Sequence, residues 1–338
     1  MIIIMAENAS EEKIKAVEKQ LAEYGFKTHP IRGESKTVIG AIGDKGHLSI
    51  NRLLAMDGVE NVVPIMRPYK LAGKEIKKAP SIIDSGGVKT GDNMNITVFA
   101  GPYIAENEEM LDIAASCVSE YGGGILTGGV FNQGPSPYGF ESLGIKGLTF
   151  LKAAGKKYNI PVCTEIPDTS DVETVAEYCD VIQIGARNMQ NYSLLSEAGK
   201  TDRTVILKRG LSASVEEWLM AAEYIMKEGN SKVILCERGI RTFETATRST
   251  LDISAIPVVK SLSHLPVIAE PGRAAGNFKY VGAMSKAALA AGADGLMLEI
   301  HPEPNKAHSN GERALKPKTF TALMRELKAV ASAVGREI

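Results

Sequence analysis

The chain has 338 residues, of which 44% are hydrophobic, and its formal net charge at pH 7 is −1. A chain of this length exceeds the usual size of one hydrophobic core, so a large domain with a smaller one is the expected arrangement. The near-neutral charge excludes a bulk electrostatic attraction to nucleic acid or to an acidic membrane surface. We therefore expect a small-molecule partner, with no nucleic acid and no membrane.

The cysteines and the first residues indicate the cellular compartment. Cys117, Cys163, Cys179 and Cys236 show no CxxC spacing and lie in apolar patterns, which favours buried thiols over disulfides or zinc ligands. The opening MIIIMA is too short for a signal-peptide core, and no apolar run approaches the length of a membrane span. These patterns predict a cytoplasmic protein.

The first 67 residues predict a small α+β domain. Ser10 is a predicted N-cap, and Glu11 and Glu12 lie at the positive end of the helix that follows it. A βαββαβ order of this kind is typical of a ferredoxin-like domain. The lysine-rich segment 68–80 is the predicted linker to a second domain, 81–338. The predicted elements of the first domain are strand Ile2–Met5, helix Ser10–Tyr24, strands Phe26–Ile31 and Thr37–Ile42, helix His47–Met56 and strand Val59–Ile65.

From Ile96 onward, apolar runs alternate with amphipathic helical patterns. Nearly continuous apolar strands are typical of a parallel sheet that is covered on both faces. Eight strand–helix units over about 240 residues favour a closed (β/α)₈ TIM barrel over an open sheet. The eight runs are ITVFAGP, GILTGG, IPVCTEI, VIQIGAR, TVILKRG, KVILCERG, PVIAEPG and GLMLEIHP.

Polar side chains follow most of these runs, where the loops of such barrels carry the active site. Some of them are expected to be ion pairs at the rim, but their convergence on one face favours a binding or catalytic site. The residues are Tyr103, Thr127, Glu165, Arg187, Lys208, Arg209, Glu237, Arg238, Glu270, Arg273, Glu299 and His301.

The strand ends resemble the DAHP synthase family, whose members join phosphoenolpyruvate to erythrose 4-phosphate at the head of the shikimate pathway. The first domain is similar to the ferredoxin-like regulatory domain of one branch of that family. The resemblance implies a homo-oligomer, tetramer or dimer. The matching segments are Ala100–Pro102, Gly185–Asn188, Leu207–Gly210, Cys236–Thr242, Leu251–Ser254 and Glu299–Pro304.

The resemblance also identifies the positions of a divalent-metal site. The family holds its metal with Cys, His, Glu and Asp, and here those positions are Tyr103, Arg273, Glu299 and Asn310. Because a guanidinium has no lone pair to donate and repels a cation, we expect no cofactor and no ordinary divalent-metal site. The structural alternative is that Arg273 pairs with Glu299 or Glu270.

The same comparison indicates where substrate anions bind. The resemblance assigns anion contacts to Ala186, Arg187, Lys208, Arg238 and Ser136. Thr127 and the segment Asn132–Pro137 are neutral where the family carries basic residues. The sequence therefore predicts one anionic site, for a small phosphorylated or carboxylated substrate.

These residues lead to three functional hypotheses. The first is a divergent, metal-independent enzyme that makes or breaks carbon–carbon bonds and is not a normal DAHP synthase. In it, Lys208 forms a Schiff base or acts as an acid because neighbouring cations lower its pKa. Glu165 or Glu299 is the base, and Tyr103 is a proton donor. The simpler alternative, which we favour, is that Lys208 only binds an anion.

The other two hypotheses keep the same fold. The second is a noncatalytic sensor that regulates a true synthase, with His29 at a position resembling an effector-binding histidine. The third is a DAHP synthase with a rearranged site. Borohydride trapping, titration with aromatic amino acids and phosphate release distinguish the three.

Overall fold

The computed structural model describes residues 1–7, 9–33, 35–43, 48–63, 68–120, 124–131 and 142–338. It divides into two compact units, Met1–Pro68 and Tyr69–Ile338, which we call the N-terminal unit and the barrel unit.

The N-terminal unit has the predicted ferredoxin-like order of elements. Its four-stranded antiparallel sheet has the strand order β2-β3-β1-β4. The helix predicted over His47–Met56, of which His47 lies outside the described residues, covers only five residues in the structure. The elements are β1 (Ile2–Met5), α1 (Glu11–Glu23), β2 (Lys27–Arg32), β3 (Thr37–Ile42), α2 (Ile50–Leu54) and β4 (Val59–Val63).

Local sequence explains how this unit is held together. Ser10 caps α1, since its side chain accepts a hydrogen bond from the backbone N–H of Lys13 at 3.4 Å. The helix buries Ile14, Val17 and Leu21, whose spacing places them on one helical face. That face belongs to the same apolar core as the buried side chains of β1 and β3.

The barrel unit is a closed barrel of eight parallel strands, as predicted. Each strand pairs with its neighbours in chain order, and β14 closes the barrel against β7. A hairpin, β5 (Ile83–Ser85) and β6 (Val88–Thr90), precedes it. The barrel strands are β7 (Thr97–Gly101), β8 (Gly124–Thr127), β9 (Val162–Ile166), β10 (Val181–Ile184), β11 (Thr204–Lys208), β12 (Val233–Glu237), β13 (Val267–Ala269) and β14 (Gly295–Glu299).

Helices follow the strands and supply the apolar layer around the barrel. A separate apolar cluster joins Phe99, Ile125, Ile206 and Met297 from strands around the barrel. No described helix has both the length and the apolar character needed to cross a membrane. The helices are α3 (Glu108–Ser119), α4 (Gly144–Tyr158), α5 (Val172–Tyr178), α6 (Tyr192–Gly199), α7 (Val215–Lys227), α8 (Ala255–Leu262), α9 (Pro271–Ala275), α10 (Phe278–Ala290) and α11 (Pro317–Ala333).

Part of the predicted linker, 68–80, is attached to the barrel. The backbone N–H groups of Leu71 and Ala72 donate to the carboxylate of Glu223 on α7, at 2.8 and 2.9 Å. The N–H of Lys74 donates to the carbonyl oxygen of Leu262 at 3.1 Å. These bonds fix the start of the barrel unit against α7 and α8.

Candidate active site

A cavity of about 880 Å³ opens at the carboxyl ends of the barrel strands. It brings together eight of the residues predicted from sequence, and Glu299 lies at a smaller inner pocket that also contacts Lys208 and Glu165. Ser136 lies outside the described residues, and His29 is an exposed residue of β2 in the N-terminal unit. The eight cavity residues are Tyr103, Glu165, Ala186, Arg187, Lys208, Arg238, Arg273 and Asn310.

Lys208 and Glu270 form a buried ion pair at the base of this cavity. Lys208 is the last residue of β11, and Glu270 directly follows β13. Their side chains are 7% and 3% exposed, and Nζ of Lys208 is 2.8 Å from Oε2 of Glu270. Because both charges are removed from water, each depends on the other for its stability in the fold.

The expectation that neighbouring cations lower the pKa of Lys208 is wrong. Burial by itself lowers this pKa, but the carboxylates of Glu270 and Glu165, together with Cys236, raise it by more. The net direction is upward, so the amine stays protonated. A protonated amine is suited to holding an anion, whereas a nucleophile needs a free lone pair.

The pH dependence of stability tests this ion pair. Burial alone would raise the pKa of Glu270, but Lys208, Arg273 and Arg238 lower it below its ordinary value of 4.5. A carboxyl group whose pKa is lowered by folding stabilises the folded state at pH values above its ordinary pKa. This stabilisation is lost as the pH falls through the lowered pKa. We expect the free energy of unfolding of the wild type to exceed that of Glu270→Gln at neutral pH. The difference should shrink as pH falls below 4.5.

Denaturant unfolding of both proteins from neutral to acidic pH measures that difference. Glu60→Gln is the matched control, because Glu60 forms an exposed ion pair with Lys36. A difference between wild type and Glu270→Gln that is the same at every pH would contradict the assignment.

Glu165 is positioned by its neighbours on the next strand. Its Oε2 accepts a hydrogen bond from Nε2 of Gln183 at 2.7 Å. Its Oε1 lies so close to Gly185 that a Cβ at that position would collide with it. A side chain at position 185 would therefore displace this carboxylate, whereas glycine leaves it bonded to Gln183 and oriented in the cavity.

Arg209 has a structural role next to the site. Its Nη1 donates to Glu237 at 2.9 Å and to Asp252 at 2.8 Å, and its Nε donates to the carbonyl of Ala213 at 2.9 Å. Glu237 also accepts the N–H of Gly239 at 2.6 Å. This network ties the ends of β11 and β12 together beside the cavity.

Three of the four positions that resemble metal ligands, Tyr103, Arg273 and Glu299, form a cluster with Arg313. Oε2 of Glu299 accepts a hydrogen bond from Nε of Arg313 at 2.6 Å. The guanidinium carbons of Arg273 and Arg313 lie 5.0 and 4.6 Å from the centre of the Tyr103 ring. Arg273 also hydrogen-bonds to the Tyr103 side chain. Asn310, with a positive φ of 58°, precedes the turn that carries Arg313.

Sequence reasoning missed Arg313 as the partner of Glu299. The prediction paired Arg273 with Glu299 or Glu270, and both carboxylates do raise the pKa of Arg273. The direct bond to Glu299, however, comes from Arg313, which is fully buried. Arg313 lies in a short 3₁₀ turn, Gly311–Arg313, within a polar stretch where an exposed side chain is the normal expectation. The sequence offered one clue to this pairing, which is that a carboxylate buried at Glu299 needs a cation near it.

Models of two known families cover almost the whole chain. The DAHP synthetase I family matches residues 73–334, and the DAHP synthase ferredoxin-like domain matches residues 1–67. The chain belongs to the DAHP synthetase I family. The chain is therefore an enzyme, a transferase of the aldolase type.

Individual relatives agree with this assignment. The chain is 45% identical to the phospho-2-dehydro-3-deoxyheptonate aldolase of Thermotoga maritima over 338 residues, with 100% of both chains covered. The crystal structure of that T. maritima protein superposes with a TM-score of 0.93 at 44% identity, covering 99% of this chain and 98% of that one. A 2-dehydro-3-deoxyphosphooctonate aldolase of Geobacter sulfurreducens is 29% identical, covering 73% of this chain and 97% of its own.

The hypothesis of a divergent protein that is not a normal DAHP synthase is wrong, since the identity to the T. maritima aldolase extends over the full length. It rested on the replaced metal ligands and on a count of charges lost from the substrate loop, and that count omitted two arginines that the fold brings to the cavity. Those residues are Arg241 and Arg248. Six basic residues line the described cavity: Arg187, Lys208, Arg238, Arg241, Arg248 and Arg273.

The expectation that no cofactor is needed is also wrong, because members of this DAHP synthase class are generally metal-dependent. The side chains at the four aligned positions nevertheless do not fit a divalent ion. Arg313 bonds to one oxygen of Glu299, and Arg273 places a positive charge beside it. Among the described residues, no group of three His, Cys, Asp or Glu side chains is arranged to hold a metal.

Proposed function

We propose that the chain has the activity named for its T. maritima relative, phospho-2-dehydro-3-deoxyheptonate aldolase, or DAHP synthase. In this reaction C3 of phosphoenolpyruvate bonds to the aldehyde carbon of erythrose 4-phosphate. Water adds to C2, and inorganic phosphate leaves. Both substrates are small phosphorylated anions, which agrees with the predicted class of partner.

The convergence of basic side chains in one cavity carries this proposal. Arg187, Lys208 and Arg238 lie at or just after the ends of three adjacent barrel strands and line the same cavity. Arg238 is buried, and burial lowers its pKa while Glu270 acts in the opposite direction. Guanidinium and ammonium groups in such a site form charge-assisted hydrogen bonds to phosphate and carboxylate oxygens.

The remaining predicted roles belong to this proposal. Lys208, whose amine stays protonated, holds an anionic oxygen of phosphoenolpyruvate without a covalent step. Glu165, oriented by Gln183, accepts a proton from the water that adds to C2. Tyr103, at the cavity wall, supplies a proton to the aldehyde oxygen. Glu299 has one oxygen bonded to Arg313, so it positions Arg313 and Tyr103 in preference to acting as the base.

Consumption of phosphoenolpyruvate tests the proposal. We expect its ultraviolet absorbance to fall only when erythrose 4-phosphate and the protein are both present, with manganese supplied. Reactions without erythrose 4-phosphate or without the protein are the controls for spontaneous hydrolysis of phosphoenolpyruvate. Consumption that does not depend on the aldose phosphate would contradict a condensation.

Three expectations about the protein outside the cavity stay predictions. They are the cytoplasmic location, a homo-oligomer in the form of a tetramer or dimer, and an effector site that includes His29.

A further inference from the structure

The barrel closes where β14 pairs with β7, and the loops that follow these two strands meet at the mouth of the barrel. The first loop, 102–107, which we call the β7 loop, contains Glu106. The second loop, 300–316, which we call the β14 loop, contains Ser309 and Asn310. Both of these residues line the cavity, so the position of the β14 loop shapes the candidate site.

Backbone hydrogen bonds fix the ends of the β14 loop. The N–H of His301 donates to the carbonyl oxygen of Leu315 at 3.0 Å, and the N–H of Leu315 donates to that of Glu299 at 2.8 Å. The backbone-to-backbone bonds that the structure describes for residues 302–312 stay within the loop. The middle of the loop therefore depends on other contacts for its position.

Glu106 on the β7 loop provides such a contact. Its Oε1 accepts a hydrogen bond from the backbone N–H of His308 at 2.8 Å. The Glu106 side chain is only 11% exposed, so water competes little for this carboxylate. A hydrogen bond to a charged acceptor is about twice as strong as one between neutral groups. The bond therefore anchors the middle of the β14 loop two residues before Asn310.

Two imidazole rings of the β14 loop lie beside the same carboxylate. Nε2 of His301 lies 3.5 Å from Oε1 of Glu106, and Nε2 of His308 lies 3.8 Å from Oε2. Nδ1 of His301 accepts the N–H of Glu303 at 3.0 Å, which assigns the ring hydrogen to Nε2. This nitrogen is buried and has no hydrogen-bond partner among the described residues. The nearby carboxylate therefore offsets part of the cost of burying the His301 ring.

The same two loops are joined a second time at Tyr103. The guanidinium carbon of Arg313, on the β14 loop, lies 4.6 Å from the centre of the Tyr103 ring, on the β7 loop. Arg313 also bonds to Glu299 at the end of β14. A shift of the β14 loop would therefore move Arg313 relative to Tyr103, the proposed proton donor to the aldehyde.

We propose that Glu106 is a positioning residue that anchors the β14 loop through the backbone of His308. The anchor keeps Arg313 against Tyr103 and keeps Asn310 at the cavity. Its effect on catalysis rests on the proposed function, whereas the anchoring of the loop does not.

Hydrogen–deuterium exchange of the full chain, followed by mass spectrometry, tests the anchor directly. We expect Glu106→Ala to raise the exchange rate in peptides from 301–313 about tenfold or more, the effect of losing one charge-assisted hydrogen bond. Glu106→Gln keeps an oxygen for the His308 N–H and should recover most of the protection. Glu109→Ala, a change to an exposed carboxylate in the first turn of α3, should match the wild type. Unchanged exchange in Glu106→Ala would overturn the anchor.

A substitution in the β14 loop tests the same bond from its other partner, and it carries the test if Glu106→Ala does not fold. His308→Pro removes the backbone N–H and leaves Glu106 in place. Ala307, which would precede the proline, has φ −59° and ψ 134°, a conformation that suits this position. We expect His308→Pro to exchange faster in the loop, whereas His308→Ala, which keeps the N–H, should stay close to the wild type. Equal exchange in the two His308 variants would contradict an anchor through the backbone.

Steady-state kinetics tests the effect on catalysis. We expect kcat of Glu106→Ala to fall about 10- to 100-fold, since a small misplacement of reacting groups has an effect of this size. Arg187, Lys208 and Arg238 lie at β10, β11 and β12, away from the β14 loop in the strand order. KM for phosphoenolpyruvate should therefore stay within about twofold of the wild-type value. Glu106→Gln should keep most of the wild-type kcat.

The two measurements together separate this inference from the proposed function. Faster loop exchange in Glu106→Ala with an unchanged kcat would overturn the positioning role. Faster loop exchange in that variant, together with a wild type that has no activity, would reject the proposed function and leave the anchor in place.

Discussion

Replacing Lys208 with methionine is expected to lower kcat/KM by roughly 10²- to 10³-fold, since the substitution removes a fixed cation from the site. It should also lower the free energy of unfolding by about 3–5 kcal/mol, because the buried carboxylate of Glu270 loses its partner. Steady-state kinetics and denaturant unfolding measure the two effects on the same preparation.

A second substitution separates the two roles of Lys208. In the double variant Lys208→Met/Glu270→Leu neither member of the ion pair is left without the other, but Arg238 and Arg273 lose the carboxylate of Glu270. We therefore expect part of the stability to return while the activity stays low. Lys232→Met is the matched control, since Lys232 pairs with Asp202 at the surface and such pairs contribute at most about 1 kcal/mol. Wild-type activity in Lys208→Met would exclude a role in substrate binding.

Replacing Arg313 with methionine is expected to lower the free energy of unfolding by about 3–5 kcal/mol, because Glu299 is then buried without its cation. The double variant Arg313→Met/Glu299→Leu should recover much of this loss. Arg325→Met, an exposed change on α11, should change stability by about 0.5 kcal/mol or less. Denaturant unfolding measures all four proteins, and a loss below about 1 kcal/mol in Arg313→Met would contradict a buried ion pair.

The periodicity of the sequence was sufficient to predict the fold. The apolar runs correspond to barrel strands of three to five residues because these strands are covered on both faces. Ser10 marked the start of α1 because a hydroxyl can satisfy a free backbone N–H at that end. Helix α2 was predicted too long, since propensity alone does not define where a short helix ends.

The location of the candidate site was predictable, whereas its ion pairs were not. The rule that strand ends form the mouth of the barrel correctly grouped Glu165, Lys208 and Arg273. Adjacent residues of a strand, however, point to opposite faces. Lys208 therefore pairs with Glu270, and Arg209 pairs with Glu237, although the two basic residues are neighbours in sequence. Pairing across loops depends on tertiary structure, which is why the shift in the Lys208 pKa was predicted with the wrong sign.

The abundance of arginine in the cavity has a consequence for substrate choice. The described lining contains six basic residues and two acidic ones, Glu165 and Glu217. Burying an anionic substrate in a site of opposite charge avoids the cost of leaving its charges unpaired. The cavity therefore suits two phosphorylated substrates better than the single anion that was predicted from the sequence.

The identity of the product tests the central claim most directly. Phosphoenolpyruvate and erythrose 4-phosphate, each labelled with carbon-13 in a separate reaction, are incubated with the protein and manganese, and the products are analysed by mass spectrometry. The account predicts one seven-carbon sugar phosphate that acquires label from either substrate, formed together with an equal amount of inorganic phosphate. Label that stays in three- and four-carbon compounds would show that the protein forms no bond between them, and would contradict the account.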